Sequence, residues 1–183
     1  MTPQLHYYPG NASMAVHVLL REIGRPFELV LVDRDLGAHK SAQYLRLNPN
    51  GQIPVYVDEG LVLYEAAAIC LHLADRAPGA ALVPEIGTAA RAHCYKWLMW
   101  LTNTLQPALM VYFYPERWVA EGNTLAAEEL KAHALTKASV LLEQLDVGLE
   151  HDVEIDGQRP RQQEERAHQH ERQQGMAPQQ RDR

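Results

Sequence analysis

The sequence predicts a small α/β domain followed by an all-α domain, and three observations support that fold class. Before Pro78, short apolar segments with strand-like alternation are interleaved with amphipathic helical segments. From Thr88 to Leu149 the spacing of apolar residues is helical throughout. A proline–glycine pair separates the two patterns, as is typical of a linker. The expected domains are therefore residues 1–80 and 88–150.

The first domain opens with a strand–helix–strand unit. Leu5 and Tyr7 alternate with polar neighbours as in a short strand, and a proline–glycine pair ends it. An i, i+3, i+4 apolar pattern then predicts a helix that ends at Gly24. The aliphatic segment from Phe27 to Val32 is the second strand. Such a unit requires a right-handed crossover and a parallel pair of strands.

A short helix, a hairpin and a longer helix complete this domain. The short helix is expected over residues 41–47. Strand-like segments on both sides of the turn at residues 58–60 predict an antiparallel hairpin. Glu65 then opens a strongly apolar helix. Beyond the linker, two helices are expected over residues 88–114 and 125–149.

Composition and charge argue against several classes of function. With 183 residues, 46% of them hydrophobic, the chain can bury a core, and its net charge of −6 argues against a nucleic-acid partner. No apolar run reaches the ~18 residues of a membrane span, and the N-terminus lacks the features of a signal peptide. Cys70 and Cys94 have no metal-ligand spacing and are too few for a disulfide framework. We therefore expect a cytoplasmic protein without a metal or a membrane partner.

The last 33 residues differ from the rest. Residues 151–183 contain eight glutamines, six arginines and seven acidic residues, with few large aliphatic side chains. So little apolar surface cannot offset about 1–2 kcal/mol of backbone entropy per ordered residue. We expect a disordered tail, either natural or the product of a shifted reading frame.

Four short segments and the order of elements resemble a known family. The segments are residues 7–13 (YYPGNAS), 48–55 (NPNGQIPV), 63–69 (LYEAAAI) and 71–74 (LHLA). At this spacing they resemble the glutathione S-transferase superfamily, and within it the bacterial beta-like branch. The resemblance covers about residues 4–149 and implies a thioredoxin-like first domain. It also implies a helical second domain, which is incomplete here.

The resemblance implies a glutathione site in the first domain. In the family, a cis peptide before Pro54 lets the N–H and C=O of Ile53 pair with the cysteinyl backbone of glutathione as an added strand. Glu65 and Ala66 lie where the family holds the γ-glutamyl end, at a helix N-terminus that favours a carboxylate. Ala66 replaces the usual hydroxyl residue. Two further residues match positions that contact the glycine end or the cysteinyl region in related classes: Gln52 and His39.

The nucleophile of glutathione is its thiolate, whose parent thiol has a pKa of about 8.5. Lowering that pKa by about two units requires about 2.7 kcal/mol. A hydroxyl that donates to the sulfur supplies about 1.5–3 kcal/mol, and a helix N-terminus up to about 1 more. Ser13 is the first candidate, Tyr7 the second and the Asn11 amide the third, although Ser13 could instead cap the helix. Ala12 replaces the beta-like cysteine, so mixed-disulfide chemistry is not expected there.

The resemblance also implies an activity and partners. The expected function is a glutathione transferase that attacks a small, mostly apolar electrophile in detoxification, working as a homodimer. The long helix after the linker carries the aromatic residues expected at the dimer face: Tyr95, Trp97 and Trp100. Two alternatives remain. One is a non-catalytic binding module, favoured by Ala12 and Ala66. The other is a truncated, inactive enzyme, because no Ser/Thr-x-x-Asp capping segment follows Leu149.

Overall fold

The computed structural model describes the backbone of residues 2–175 and the side chains of residues 2–149. The chain divides into two compact units, one over residues 1–94 and one that begins at Tyr95. Among the described residues, no helix is both long enough and apolar enough to cross a membrane.

The first unit contains a four-stranded mixed sheet in the order β2-β1-β3-β4. The strands are β1 (Gln4–Tyr7), β2 (Glu28–Leu31), β3 (Val55–Asp58) and β4 (Leu61–Tyr64). β1 pairs in parallel with β2 and antiparallel with β3, which forms the hairpin with β4. The predicted parallel pair and hairpin are therefore confirmed, and they form a thioredoxin-like sheet.

Three helices accompany the sheet: α1 (Ser13–Ile23), α2 (Ala42–Leu45) and α3 (Ala66–Asp75). α1 ends where predicted, since Gly24 adopts the left-handed conformation and its N–H donates to the Arg21 carbonyl. α2 is shorter than the helix predicted over residues 41–47. Ser41 caps it by accepting a hydrogen bond from the Tyr44 N–H at 3.2 Å.

The main core of the first unit lies between the sheet and the helices α1 and α3. Its buried side chains are Leu5, Val16, Leu20, Tyr56, Ile69 and Leu73. A smaller cluster of Val32, Tyr44 and Val55 packs beneath the segment that precedes β3. These two clusters fix the ends of β1 and β3, which is where the predicted site residues lie.

A buried carboxylate, that of Asp58, lies at the C-terminal end of β3. The Asp58 carboxylate is fully buried and lies 3.1 Å from Arg25 Nη2 and 3.2 Å from Arg76 Nη1. It also accepts a hydrogen bond from the Tyr56 hydroxyl at 3.1 Å. Burial and this bond raise the pKa of Tyr56 to about 12. The cluster joins the hairpin to the segments that follow α1 and α3.

The second half is helical, as predicted, and the helix predicted over residues 88–114 runs without a break from Ala89 to Phe113, with one π-helical segment in its middle. α4 (Ala89–Trp100) and α5 (Gln106–Phe113) are separated by a π-helical segment, Leu101–Leu105. Pro107 accounts for the change, because a proline has no N–H and its ring excludes the carbonyl four residues earlier. The single hydroxyl proton of Thr102 has two acceptors within reach, the Leu98 carbonyl at 3.0 Å and the Met99 carbonyl at 3.1 Å.

The last helix, α6 (Thr124–Gly175), packs against α5. Leu105, Ala108 and Leu141 form a small core with Trp100 and Leu109. The backbone of α6 continues through residues 151–175, within the segment expected to be a disordered tail. The side chains of that segment and all of residues 176–183 lie outside the described residues, so disorder of the tail stays a prediction.

Candidate active site

The register of the sheet brings three of the predicted segments to one edge. Val55 pairs with His6 on one side and with Tyr64 on the other. Antiparallel pairing therefore sets Tyr7, Pro54 and Glu65 next to one another, each one residue beyond a paired position. The resemblance named these residues from three separate parts of the chain. The sheet register brings them together.

The loop between β1 and α1 carries the three candidates for thiol activation. Ser13 is 2% exposed, and its hydroxyl donates to the Tyr8 carbonyl at 3.0 Å. Asn11 Oδ1 accepts a hydrogen bond from the Ser13 N–H at 2.8 Å, which leaves the amide nitrogen of Asn11 as its donor. Tyr7 is half-buried at the end of β1 and packs against the main core.

The first residue of α1 is Ser13, and Asn11 holds the first two N–H groups of the helix: its Oδ1 accepts the Ser13 N–H and its carbonyl accepts the Met14 N–H at 3.0 Å. Ala12, at the cap position, is exposed. The dipole of the helix still places partial positive charge at this end, which favours an anion. A thiolate placed here gains that stabilisation together with one amide donor.

The turn before β3 is held by two buried side chains that the sequence analysis did not single out. The Tyr44 hydroxyl and the Asn48 side-chain amide both donate to the Gln52 carbonyl, at 2.8 and 2.9 Å. Asn48 Oδ1 in turn accepts the Asn50 N–H at 3.0 Å. Burial raises the pKa of Tyr44 to about 12. An asparagine before proline is a turn signal, but only the folded chain shows that its side chain spans the turn.

The peptide bond between Ile53 and Pro54 is cis, as the resemblance implies. The ladder of β3 begins at Val55, so the N–H and C=O of Ile53 lie outside the sheet pairing. An extended peptide can use these two groups as an added strand.

The loop that carries His39 lies directly against this turn. Gly51 has φ +62°, and a Cβ there would lie 3.1 Å from the His39 carbonyl oxygen. A glycine therefore lets the two loops approach closely. His39 is half-buried in the 3-10 turn Ala38–Lys40, and its Nδ1 is buried without a hydrogen-bond partner among the described residues.

Glu65 is the residue with an unusual backbone at this edge. It has φ 72° and ψ 109°, directly before α3, and its carbonyl accepts the Ile69 N–H at 3.0 Å. A non-glycine residue in this region costs about 1–3 kcal/mol, and such strain is concentrated at functional sites. The conformation leaves the Glu65 side chain exposed beside Ala66, the first residue of the helix.

The Tyr8 side chain connects the loop after β2 to the end of β1. The Tyr8 hydroxyl donates to Asp35 Oδ2 at 2.9 Å, and this bond raises the pKa of Tyr8. Asp33 Oδ1 accepts the N–H groups of Asp35 and Leu36 and so fixes the start of that loop. The loop leads on to His39, so Tyr8 links two parts of the site.

Cys70 is not placed for chemistry at this edge. Cys70 packs against the main core, and burial raises the pKa of its thiol to about 11. A protonated thiol is a poor nucleophile. Among the described residues, no group of three or more histidine, cysteine or acidic side chains is placed to hold a metal ion.

Comparison with known proteins identifies the class. Residues 3–75 match the family described as glutathione S-transferase, N-terminal domain. Glutathione S-transferase GST-4.5 of Xanthomonas campestris pv. campestris is 32% identical over 147 residues, which are 80% of this chain and 70% of that protein. Glutathione S-transferase GstA of Escherichia coli O157:H7 is 34% identical over 115 residues, which are 62% of this chain and 57% of that protein.

A solved structure gives the same result. A glutathione transferase homolog from Sulfitobacter, with bound glutathione, matches with a TM-score of 0.69 and 26% identity, over 78% of this chain and 67% of that one. The fold is therefore that of a thioredoxin-like domain followed by a helical region. The chain belongs to the glutathione S-transferase family. It spans 57% and 70% of the lengths of the two relatives named above.

Proposed function

We propose that this chain binds glutathione at the edge formed by Tyr7, Pro54 and Glu65, and acidifies its thiol for attack on a small, mostly apolar electrophile. The observation that carries the proposal is the sheet register, which sets these three residues side by side. The glutathione-bound relative from Sulfitobacter supports the choice of ligand.

Each part of glutathione has a chemical counterpart at this edge. The backbone of Ile53 pairs with the cysteinyl residue as an added strand. The γ-glutamyl end carries an ammonium and a carboxylate. The exposed Glu65 carboxylate attracts the ammonium group, and the N-terminus of α3 at Ala66 attracts the carboxylate of the ligand. The glycine end then lies toward Gln52 and His39.

The geometry favours Asn11 over Ser13 as the direct donor to the thiolate. The Ser13 hydroxyl is buried and engaged by the Tyr8 carbonyl, whereas the Asn11 amide nitrogen remains as a donor beside the helix end. A hydrogen bond to a charged group contributes about 1.5–3 kcal/mol, so one amide with the helix end is sufficient for a shift of about two pKa units. Ser13 then acts as a positioning residue that holds the loop.

Calorimetric titration with glutathione tests the binding site. We expect Glu65→Gln to weaken binding about tenfold, as expected for the loss of one charge-assisted contact. Glu59→Gln is a matched control, because Glu59 is also an exposed glutamate at positive φ, in the turn at the other end of the same hairpin. Equal effects of the two substitutions, or an unmodified chain that fails to bind, would contradict the proposed site.

A non-catalytic glutathione-binding module is the second candidate. Ala12 and Ala66 remove polar groups from the site, and the Ser13 hydroxyl is directed inward. Such a module would bind glutathione but leave its thiol pKa unchanged.

A cytoplasmic homodimer also stays a proposal. Tyr95 and Met99 on α4 are partly exposed and provide apolar surface, whereas Trp100 packs within the second unit. Light scattering at micromolar concentration tests it, and a mass of one chain would contradict it.

A further inference from the structure

We propose a second ligand site in the first unit, between the C-terminal end of α1 and the start of β2, which binds a small aromatic carboxylate. An open cavity of about 380 Å³ lies there. It is lined by Leu20, Arg21, Gly24, Arg25, Pro26, Phe27 and Leu29. That volume lies within the range of about 300–1,000 Å³ typical of small-molecule sites.

The cavity is separate from the glutathione edge. β1 ends at that edge, and α1 leads away from it over 11 residues before Gly24 turns the chain into β2. A helix of this length rises by about 16 Å. The cavity therefore lies at the opposite end of the strands.

The Phe27 ring, which lines the cavity, is held in position by the side chains of Arg21 and His17. The Arg21 guanidinium lies 5.4 Å from the centre of the Phe27 ring. The His17 ring meets the same ring edge-on, with centroids 5.5 Å apart. The guanidinium lies over the Phe27 ring, and Leu29 and Pro26 continue the apolar wall, so the cavity offers a cation held by an aromatic ring next to apolar side chains.

The second cation is held by the buried charged group described above. Arg25 Nη2 contacts the Asp58 carboxylate, and about a third of its side chain remains exposed. Asp58 itself is fully buried and also neutralised by Arg76, so it does not present its charge to a ligand. This contact restricts Arg25 before any ligand arrives, which lowers the entropy cost of binding.

The charge of the lining selects an anion. Among the described residues that line the cavity, two are arginines and none is acidic. Glu28 is next to Phe27 in the chain, but it accepts a hydrogen bond from Gln4 on the neighbouring strand at 3.1 Å. Guanidinium groups bind carboxylates with two parallel hydrogen bonds. An aromatic carboxylate can pair with the guanidinium groups while its ring packs against the apolar side chains of Pro26 and Leu29.

Nuclear magnetic resonance titration of the full chain with 2-naphthoate, in the presence of saturating glutathione, tests the site. We expect saturable shifts of the Gly24 and Phe27 amides, with little change at Ile53 and Ala66. Arg21→Gln should weaken the affinity about tenfold, as expected for one charge-assisted contact, without touching the Asp58 cluster.

Arg34→Gln is the matched control, because the Arg34 guanidinium also lies over a ring, 5.8 Å from the centre of Tyr8, at the other end of the sheet. The affinity of the Arg34→Gln variant for 2-naphthoate should equal that of the unmodified chain. The proposal is overturned if the Gly24 and Phe27 amides do not shift, if the shifts are confined to the glutathione edge, or if both arginine variants bind equally well.

Discussion

The hydroxyl of Ser13 donates a hydrogen bond to the backbone carbonyl of Tyr8, 3.0 Å away, and the side chain is almost completely buried. This bond closes the loop that connects β1 with α1. Asn11 completes the same loop by accepting the Ser13 N–H. Two polar residues at a helix start thus have different tasks, since one holds the loop and the other has a donor left for a ligand.

Ser13→Ala should lower the free energy of unfolding by about 1–2 kcal/mol, because it deletes a buried hydrogen bond and leaves the Tyr8 carbonyl without its donor. Urea denaturation measures this change. Ser139→Ala is the control, because Ser139 also donates to a backbone carbonyl, at 3.1 Å, but is exposed on α6. A loss at Ser139 as large as that at Ser13 would show that burial is not the cause.

Asn48→Ala should lower the free energy of unfolding by about 2–3 kcal/mol, since two buried hydrogen bonds of the turn before β3 are lost. Because this turn carries Gln52 and Ile53, glutathione affinity should fall as well. Asn50→Ala removes an exposed side chain from the same turn and should change neither quantity appreciably. Unaltered glutathione affinity in a folded Asn48→Ala variant would contradict the role given to Asn48.

The stability of the chain should fall at alkaline pH because of Tyr44 and Tyr56. Folding raises the pKa of each from 10.0 to about 12. The stabilisation is fully present below pH 10 and is lost as the pH rises toward 12, with a slope of up to about 1.4 kcal/mol per pH unit for each tyrosine. Tyr56→Phe should make the decline in unfolding free energy shallower between these values. The exposed Tyr95 provides the control Tyr95→Phe, and an equally shallow decline in that variant would argue against burial as the cause.

Gly148→Ala should destabilise the second unit, because a Cβ there would collide with the Trp97 ring. That ring cannot turn away easily, since it packs edge-on against Trp100 at 5.5 Å. Overpacking of this kind costs about 1–3 kcal/mol, more than the gain of about 1 from a better helix former. Tryptophan fluorescence during unfolding reports the change. Gly79→Ala adds a methyl group that meets nothing within 4 Å, and it should be neutral.

The sequence predicted the strands and α1 because their patterns are local: alternation in β1, and the apolar face and terminal Gly24 of α1. The π-helical segment was missed because it depends on how Pro107 disturbs a carbonyl one turn earlier, while the apolar spacing continues. The cis bond at Pro54 and the position of Glu65 followed from the resemblance. The inward direction of the Ser13 hydroxyl and the turn supported by Asn48 could not be predicted, because both depend on which backbone carbonyl comes within reach in the folded chain.

The most direct test of the account is the pKa of the glutathione thiol when bound, measured by the absorbance of the thiolate as a function of pH. We expect a midpoint about two units below the free value of about 8.5. Asn11→Ala should move the midpoint back by about one to two units, whereas Ser13→Ala and Tyr7→Phe should move it little. A bound thiol with the pKa of free glutathione would contradict the proposed activation. A midpoint that responds to Ser13→Ala or Tyr7→Phe but not to Asn11→Ala would assign the donor to that residue instead.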